Sequence, residues 1–398
     1  MNTPLIMGPD APFDEQTPAL LVDEAKFTAN LERMRAHAQR VRGDVQHRPH
    51  LKTVKSVPLA KRITGALQTP AVTVSTLKEA EIFAAAGYRD ILYAVGIAPA
   101  KLARVKALRD SGVDLVITTD NVETAQAIAA FSQQSGEAFP VLIEIDCDGH
   151  RSGIPPEDTE QLLAVGRALA QGAEIRSEVR GVMTHAGGSY SASTPEELAA
   201  CAAREREGAV LAAHTLRSDG HAAPVVSIGS TPTAFGTSDL TGVTELRAGV
   251  YPFFDLVMAG IGVCTPDEIA VSVLSTVIGH QRDKGWIIVD AGWMAMSRDR
   301  GTAGQRVDQG YGLVCSADGA VMDNLIMVSA NQEHGIIAVR AGAEEGADAA
   351  LALPDLPVGT QLRILPNHAC ATAAQFDHYT MFDEPGGPVT RVERFSGW

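Results

Sequence analysis

The sequence predicts an α/β fold, a (β/α)8 barrel followed by a C-terminal β domain, and three observations carry that prediction. From about residue 20 to residue 250 short apolar runs alternate with longer amphipathic segments, the signature of parallel strands joined by crossover helices. Eight such runs occur, as a closed barrel needs, whereas an open doubly wound sheet more often stops at about five or six. Beyond about residue 265 the strand-like stretches become short and are separated by Gly, Asp and Pro instead of helices. The expected division is a barrel over 25–265 and a β domain made of 1–24 with 266–398.

In chain order the barrel strands are expected at 45–51, 71–74, 90–94, 113–117, 140–145, 179–183, 225–228 and 245–248, each a short run rich in Val, Ile, Leu and Ala. The helices are expected at 28–39, 76–86, 99–111, 122–134, 159–171 and 195–217, where apolar positions recur at helical spacing. The later strands fall at 268–278, 285–289, 327–330, 336–338 and 361–364. Residues 19–22 form a strand ahead of the first barrel helix and need a partner, which the β domain can supply. The Ala-rich stretch 343–352 reads as a surface loop or short helix.

Composition narrows the function. The 398 residues carry 33 Lys and Arg against 48 Asp and Glu, a net charge of −15 with no basic run, so nucleic acid and anionic membranes are poor partners and a small molecule is a better one. No stretch of about 18 apolar residues occurs and the N-terminus lacks the basic start and apolar core of a signal peptide, which places the chain in the cytoplasm by expectation. Five scattered cysteines without a CxxC pair argue against a disulfide framework or a structural zinc cluster.

Parallel barrels gather reactive groups at the carboxyl ends of their strands. The first strand ends in Arg48-Pro49-His50-Leu51-Lys52-Thr53-Val54-Lys55, in a chain with few lysines. An inward lysine among apolar walls would be an amine nucleophile toward a carbonyl, the way lysines hold pyridoxal phosphate. A solvated lysine in a basic loop is the plainer alternative. The strand near 225 runs into Gly229-Ser230-Thr231-Pro232, where a glycine admits an anion and two hydroxyls add donors. The next strand ends in Gly249-Val250-Tyr251, and loops after strands seven and eight are a frequent phosphate seat, although such tetrapeptides are often ordinary turns. Arg151 and His185, in polar loops after strands five and six, suit the edge and face of a cofactor ring or a hydrogen-bonded rim. Near the C-terminus His368 and Cys370 stand at i and i+2 of what reads as an extended segment. There they would share a side and bind one borderline metal, most naturally Zn2+, with positions left for water and substrate. A buried histidine beside an inert thiol is the alternative.

Taken in order, RPHLKT, VSTLKEAE, DILYAVG, EIDCDGHRSG, THAGGSY, SIGSTPT, ELRAGVYPFFD, DAGW and LPNHACAT resemble the fold type III pyridoxal phosphate enzymes related to alanine racemase, in particular the D-serine dehydratase and D-threonine aldolase group. The resemblance runs over nearly the whole chain. It implies that Lys52 is the Schiff-base lysine. It also implies that Arg151, His185, Tyr190, Gly229, Ser230, Thr231 and Tyr251 contact the cofactor, and that His368 and Cys370 hold a catalytic metal. Cysteine two residues after the histidine, where most threonine aldolases carry Asp, places the chain nearer the dehydratases. Val54 departs from the family, which usually has His there.

The implied reaction is a pyridoxal phosphate- and zinc-dependent dehydration of a D-3-hydroxy amino acid, D-serine or D-threo-3-hydroxyaspartate, to a 2-oxo acid and ammonia. The alternative is retro-aldol cleavage to glycine and an aldehyde; racemisation and non-catalytic carriage of the cofactor are more remote. The resemblance further implies a homodimer.

Overall fold

A computed structural model of the chain describes residues 12–42, 44–172, 174–341 and 353–398, so the Ala-rich stretch 343–352 lies outside the described residues. The chain forms two compact units. One comprises the described residues up to Asn30 with Pro252–Ser396, the other Leu31–Tyr251 with Gly397–Trp398.

After β1 (Ala19–Asp23), which belongs to the first unit, the strands of the second unit are β2 (Gln46–His47), β3 (Ala71–Val74), β4 (Asp90–Gly96), β5 (Asp114–Thr119), β6 (Pro140–Ile145), β7 (Glu178–Thr184), β8 (Val225–Ile228) and β9 (Glu245–Leu246). They pair in parallel in the order β2-β9-β8-β7-β6-β5-β4-β3. A parallel bridge between His50 and Thr73 joins the extension of β2 to β3 and completes the barrel. Leu51 N–H donates to Thr73 O at 2.9 Å and Thr73 N–H to Pro49 O at 2.9 Å, which fixes that seam. Leu92, Val116, Leu142 and Met183, one from each of four neighbouring strands, pack as a buried cluster.

The helices are α1 (Glu24–Arg42), α2 (Val57–Leu67), α3 (Leu77–Ala85), α4 (Leu102–Asp110), α5 (Val122–Ser135), α6 (Thr159–Leu169), α7 (Pro195–Ser218) and α8 (Thr231–Gly236). Side chains of Thr76, Asn121, Asp158 and Thr194 each accept a backbone N–H of the first turn of α3, α5, α6 and α7. Such caps contribute about 1 kcal/mol apiece. Two helices and one boundary depart from the sequence expectation. The segment following Lys55 forms α2, with Pro58 in its first turn and Leu59, Ala60, Ile63 and Leu67 buried. The Gly-Ser-Thr-Pro stretch opens α8 through a capping box between Ser230 and Thr233. The first barrel strand is much shorter than 45–51, because Pro49 lacks a donor and residues 51–54 turn.

The first unit is built on β1, β10 (Val271–Gln281), β11 (Trp286–Val289), β12 (Gly312–Ser316), β13 (Val321–Ala330), β14 (Gly335–Val339), β15 (Gln361–Pro366), β16 (His378–Phe382) and β17 (Val389–Glu393). Their order is β11-β14-β13-β12-β15-β10-β1-β16-β17, and an added pairing of β11 with β10 closes six of them into a ring. Strand β1 runs antiparallel to β10 and parallel to β16. Phe13, Ala19, Leu21, Leu274 and Phe382 form one of its cores. Strands β12, β16 and β17 are additions to the expected set, although Gly310 and Gly312 mark the start of β12 and Pro385-Gly386-Gly387-Pro388 separates β16 from β17, and residues 266–268 make a 3-10 turn where the sequence suggests the start of β10.

Candidate active site

The turn after β2 presents two lysines, and the structure separates their roles. Lys55 has φ +38° and its Nζ lies 3.2 Å from Oε1 of Glu79, a fully buried carboxylate that also accepts from Ser75 N at 3.0 Å and Ser75 Oγ at 2.8 Å. Lys52, partly buried, has no ion-pair partner among the described residues, which leaves it the candidate for a reactive amine. It faces two imidazoles. Burial first, and then the charges of Lys52 and Arg151, push His185 down to about 3. Burial and the same charges, with Arg247, hold His50 well below its ordinary value. A histidine in that state is neutral at pH 7.

His185 Nδ1 stands 3.3 Å from Gly229 O, so its N–H donates there, and its ring centroid lies 6.0 Å from that of Tyr190. Arg151 Nη2 lies 4.0 Å from Glu144 Oε1. Lys52, Arg151, His185, Tyr190 and Gly229 thus belong to one neighbourhood. Gly229 has φ +132°, and a Cβ there would lie 2.0 Å from Arg247 O, so no other residue fits. Ser230 Oγ lies 3.1 Å from Ser189 Oγ, and Thr231 Oγ1 accepts the N–H of Val250 at 3.1 Å. Tyr251 is buried with a hydroxyl that has no partner among the described residues, and burial raises its pKa.

Three residues of this neighbourhood escape sequence reading. Arg247 is fully enclosed and donates from Nη1 to Ser227 Oγ at 2.6 Å and from Nη2 to Thr184 O. Its signal was available: Glu245 and Arg247 are charged residues two apart in an apolar strand, hence both on the interior side. Arg48 pairs with the first of them, 2.6 Å from Glu245 Oε1, and also lies 2.6 Å from Asp90 Oδ1. His50 stood in the RPH motif without a role. Glu205, in the middle of α7, gave no signal. A cation-rich cup with a glycine seat and an orphaned phenol fits an aromatic aldehyde carrying a phosphate.

In the other unit His368 precedes α11 (Ala369–Ala373), after the intervening α9 (Leu256–Gly260) and α10 (Trp293–Met296). This corrects the extended-segment argument: His368 has extended backbone but Cys370 lies in the first helical turn, so strand alternation does not bring them to one side. They meet nonetheless, through a side-chain hydrogen bond. Asp299 Oδ2 lies 2.8 Å from His368 Nδ1. Asp255, fully enclosed, accepts from Ala369 N at 2.9 Å and Met258 N at 3.0 Å. Asn367 Nδ2 donates to Gly310 O at 2.7 Å and Asp299 O at 3.1 Å, tying the loop of Asp299 to the histidine. Burial opposes a charge on His368, but the hydrogen bonds to Asp299 and Cys370 and the Asp255 charge lift its pKa to about 11. That site demands a positive charge, and a divalent ion answers it as a proton does. With Nδ1 committed to Asp299, Nε2 is the nitrogen that could hold a metal together with the Cys370 sulfur. No group of three or more His, Cys, Asp or Glu side chains arranged to hold a metal occurs among the described residues, so an ion here would keep open positions. None of the five cysteines is in a disulfide, and burial raises Cys147 to about 12 and Cys315 to about 11.

Comparison with known proteins agrees with both halves. Residues 22–256 match the family described as alanine racemase, N-terminal domain, and residues 270–382 match the putative serine dehydratase domain. The chain is 56% identical to the D-threo-3-hydroxyaspartate dehydratase of Delftia sp. strain HT23, over 96% of this chain and 98% of that one. The solved structure of that dehydratase superposes with a TM-score of 0.90, covering 98% of this chain and 100% of the other. Solved variants of it include a histidine-to-alanine and a cysteine-to-alanine change two positions apart, the latter in a metal-free form. The D-serine dehydratase of Dictyostelium discoideum is 29% identical over 96% of this chain and 97% of its own. A D-threonine aldolase of Arthrobacter sp. is 30% identical over 89% and 86%. No described helix is long and apolar enough to cross a membrane.

Proposed function

The chain belongs to the alanine racemase-like lyases that include the D-serine and D-threo-3-hydroxyaspartate dehydratases, and from that premise we propose that it dehydrates a D-3-hydroxy amino acid, D-threo-3-hydroxyaspartate foremost, using pyridoxal phosphate and a divalent metal, zinc by its donor set. The observation that carries the reading is the coexistence in one chain of a lysine in a cation-rich cup and a His-Cys pair in an anion-rich one.

Lys52 Nζ would hold the cofactor aldehyde, and as a free amine it is the base placed to take the proton from Cα. Gly229, Ser230, Thr231 and Tyr251 seat the phosphate. His185, uncharged at neutral pH, lies against the ring, and Arg151 and Tyr190 serve its polar edge. Bound pyridoxal phosphate supplies an electron sink for the carbanion at Cα. His368 Nε2 and Cys370 Sγ would hold the metal, while Asp299, 2.8 Å from Nδ1, would keep the imidazole in the tautomer that leaves Nε2 open. The metal supplies a Lewis acid for the departing 3-hydroxyl, a poor leaving group at neutral pH without one. The enamine product hydrolyses to a 2-oxo acid and ammonia.

Incubating the purified protein with D-serine, D-threonine and D-threo-3-hydroxyaspartate tests this. A 2-oxo acid and ammonia in equal amounts, lost on chelation, are expected; glycine and an aldehyde alone would overturn the dehydratase reading in favour of the aldolase. The resemblance to the family is the ground for proposing a homodimer, for which sedimentation gives the stoichiometry.

A further inference from the structure

Helix α7 places Glu205 under the cofactor cup. The side chain is fully enclosed, and its Oε1 accepts two backbone N–H groups, from Ala186 at 3.0 Å and from Gly229 at 3.0 Å. Those amides belong to two different loops. Ala186 follows His185 after β7, and Gly229 opens the Gly-Ser-Thr seat after β8. Two further contacts tie the same loops, His185 to Gly229 O at 3.3 Å and Ser189 Oγ to Ser230 Oγ at 3.1 Å. The first is part-buried and the second buried, and Glu205 adds a third tie in which one enclosed oxygen satisfies two backbone donors that water does not reach.

We propose that Glu205 is a positioning residue that sets the spacing between the ring-contacting loop at His185 and the phosphate seat at Gly229–Thr231 through one shared oxygen. The proposal rests on the pyridoxal phosphate reading above. The bridge needs an acceptor at that distance, not a negative charge. Consistent with this, burial raises the Glu205 pKa, and Oε2 has no hydrogen-bond partner among the described residues. A negative charge next to the backbone of a seat meant for an anion would oppose binding there, so an acceptor that tolerates protonation suits the place.

Two substitutions separate these properties. Glu205→Gln keeps an oxygen at the same reach without charge, and Glu205→Asp keeps the carboxylate but withdraws it by one methylene. Equilibrium dialysis of the cofactor-stripped full chain is expected to give pyridoxal phosphate affinity within about threefold of wild type for E205Q and about tenfold weaker for E205D, since two buried donors lose their acceptor. Affinity for pyridoxal, which lacks the phosphate, should fall less, so the preference for the phosphorylated form narrows in E205D. The reversed order, with E205D tight and E205Q weak, would show that charge matters and overturn the proposal. So would equal affinities accompanied only by a lower melting temperature. Borohydride trapping in the wild type, read by mass spectrometry at Lys52, tests the underlying reading separately: no label there defeats pyridoxal phosphate itself, while a label with unchanged E205D affinity defeats only the bridge.

Discussion

His185 and His368 start from the same intrinsic basicity and end in opposite electrostatic settings. His185 is buried among Lys52 and Arg151 and falls to about 3, while His368 is held by Asp299 and Cys370 and rises to about 11. A neutral imidazole among cations marks a place built for an anion, a phosphate or a carboxylate. A charged imidazole among anions marks a place built for a cation. The two are also assembled differently. The barrel cup draws on the ends of β2, β6, β7, β8 and β9, whereas the ligand pair comes from one short segment braced by Asp255, Asp299 and Asn367.

Removing each centre should leave the other's ligand in place. Lys52→Ala is expected to abolish the visible absorption of the bound cofactor near about 410–420 nm and to lower turnover by about 10³-fold or more, because nucleophile and base are lost together, while bound metal by elemental analysis stays unchanged. His368→Ala and Cys370→Ala should do the converse, losing metal and about 10²–10³-fold in turnover with the absorption retained. If either variant empties both centres, the comparison of two separately built sites is wrong. A smaller effect is expected from Asp299→Asn. The amide cannot take the imidazole N–H as strongly and presents a donor of its own, so metal affinity measured against a competing chelator should fall about 10- to 100-fold with no change in cofactor binding.

How much of this was legible in sequence follows the same division. Lys52 and the Gly229–Thr231 seat sit at strand ends, where polar residues interrupt apolar runs, so local pattern and barrel geometry point at them together. The barrel itself is legible because each β/α unit repeats the same change of period. What holds these residues is not legible. Glu205 looks like any solvent-facing acid of a long helix, and only the fold shows it enclosed. Asp299 lies 69 residues from the histidine it orients, with nothing in its neighbourhood to announce the pairing. The segment of His368 and Cys370 was found by composition but misread as extended, because the helix that begins at Ala369 has only five residues, too few for a period. Helix α2 was hidden for a similar reason: Pro58 reads as a breaker until its place in the first turn is known.

The smallest expected effect tests the contrast between the two histidines most directly. In cofactor- and metal-free protein, His185 refuses a proton that the unfolded chain binds at its ordinary value of 6.5, so its contribution to stability is present above that pH and is lost as pH falls toward about 3. His368 keeps a proton that the unfolded chain releases, so its contribution is complete below pH 6.5 and is lost as pH rises toward about 11. The apparent melting temperature of wild type relative to His185→Gln should therefore drop between pH 7 and pH 4, and relative to His368→Gln between pH 7 and pH 10. Both imidazoles retain some solvent contact, which limits each change to about 1–3 °C. Two differences that move in the same direction with pH would mean that the fields at the two histidines are alike, and the division into an anion site and a cation site would fail with them.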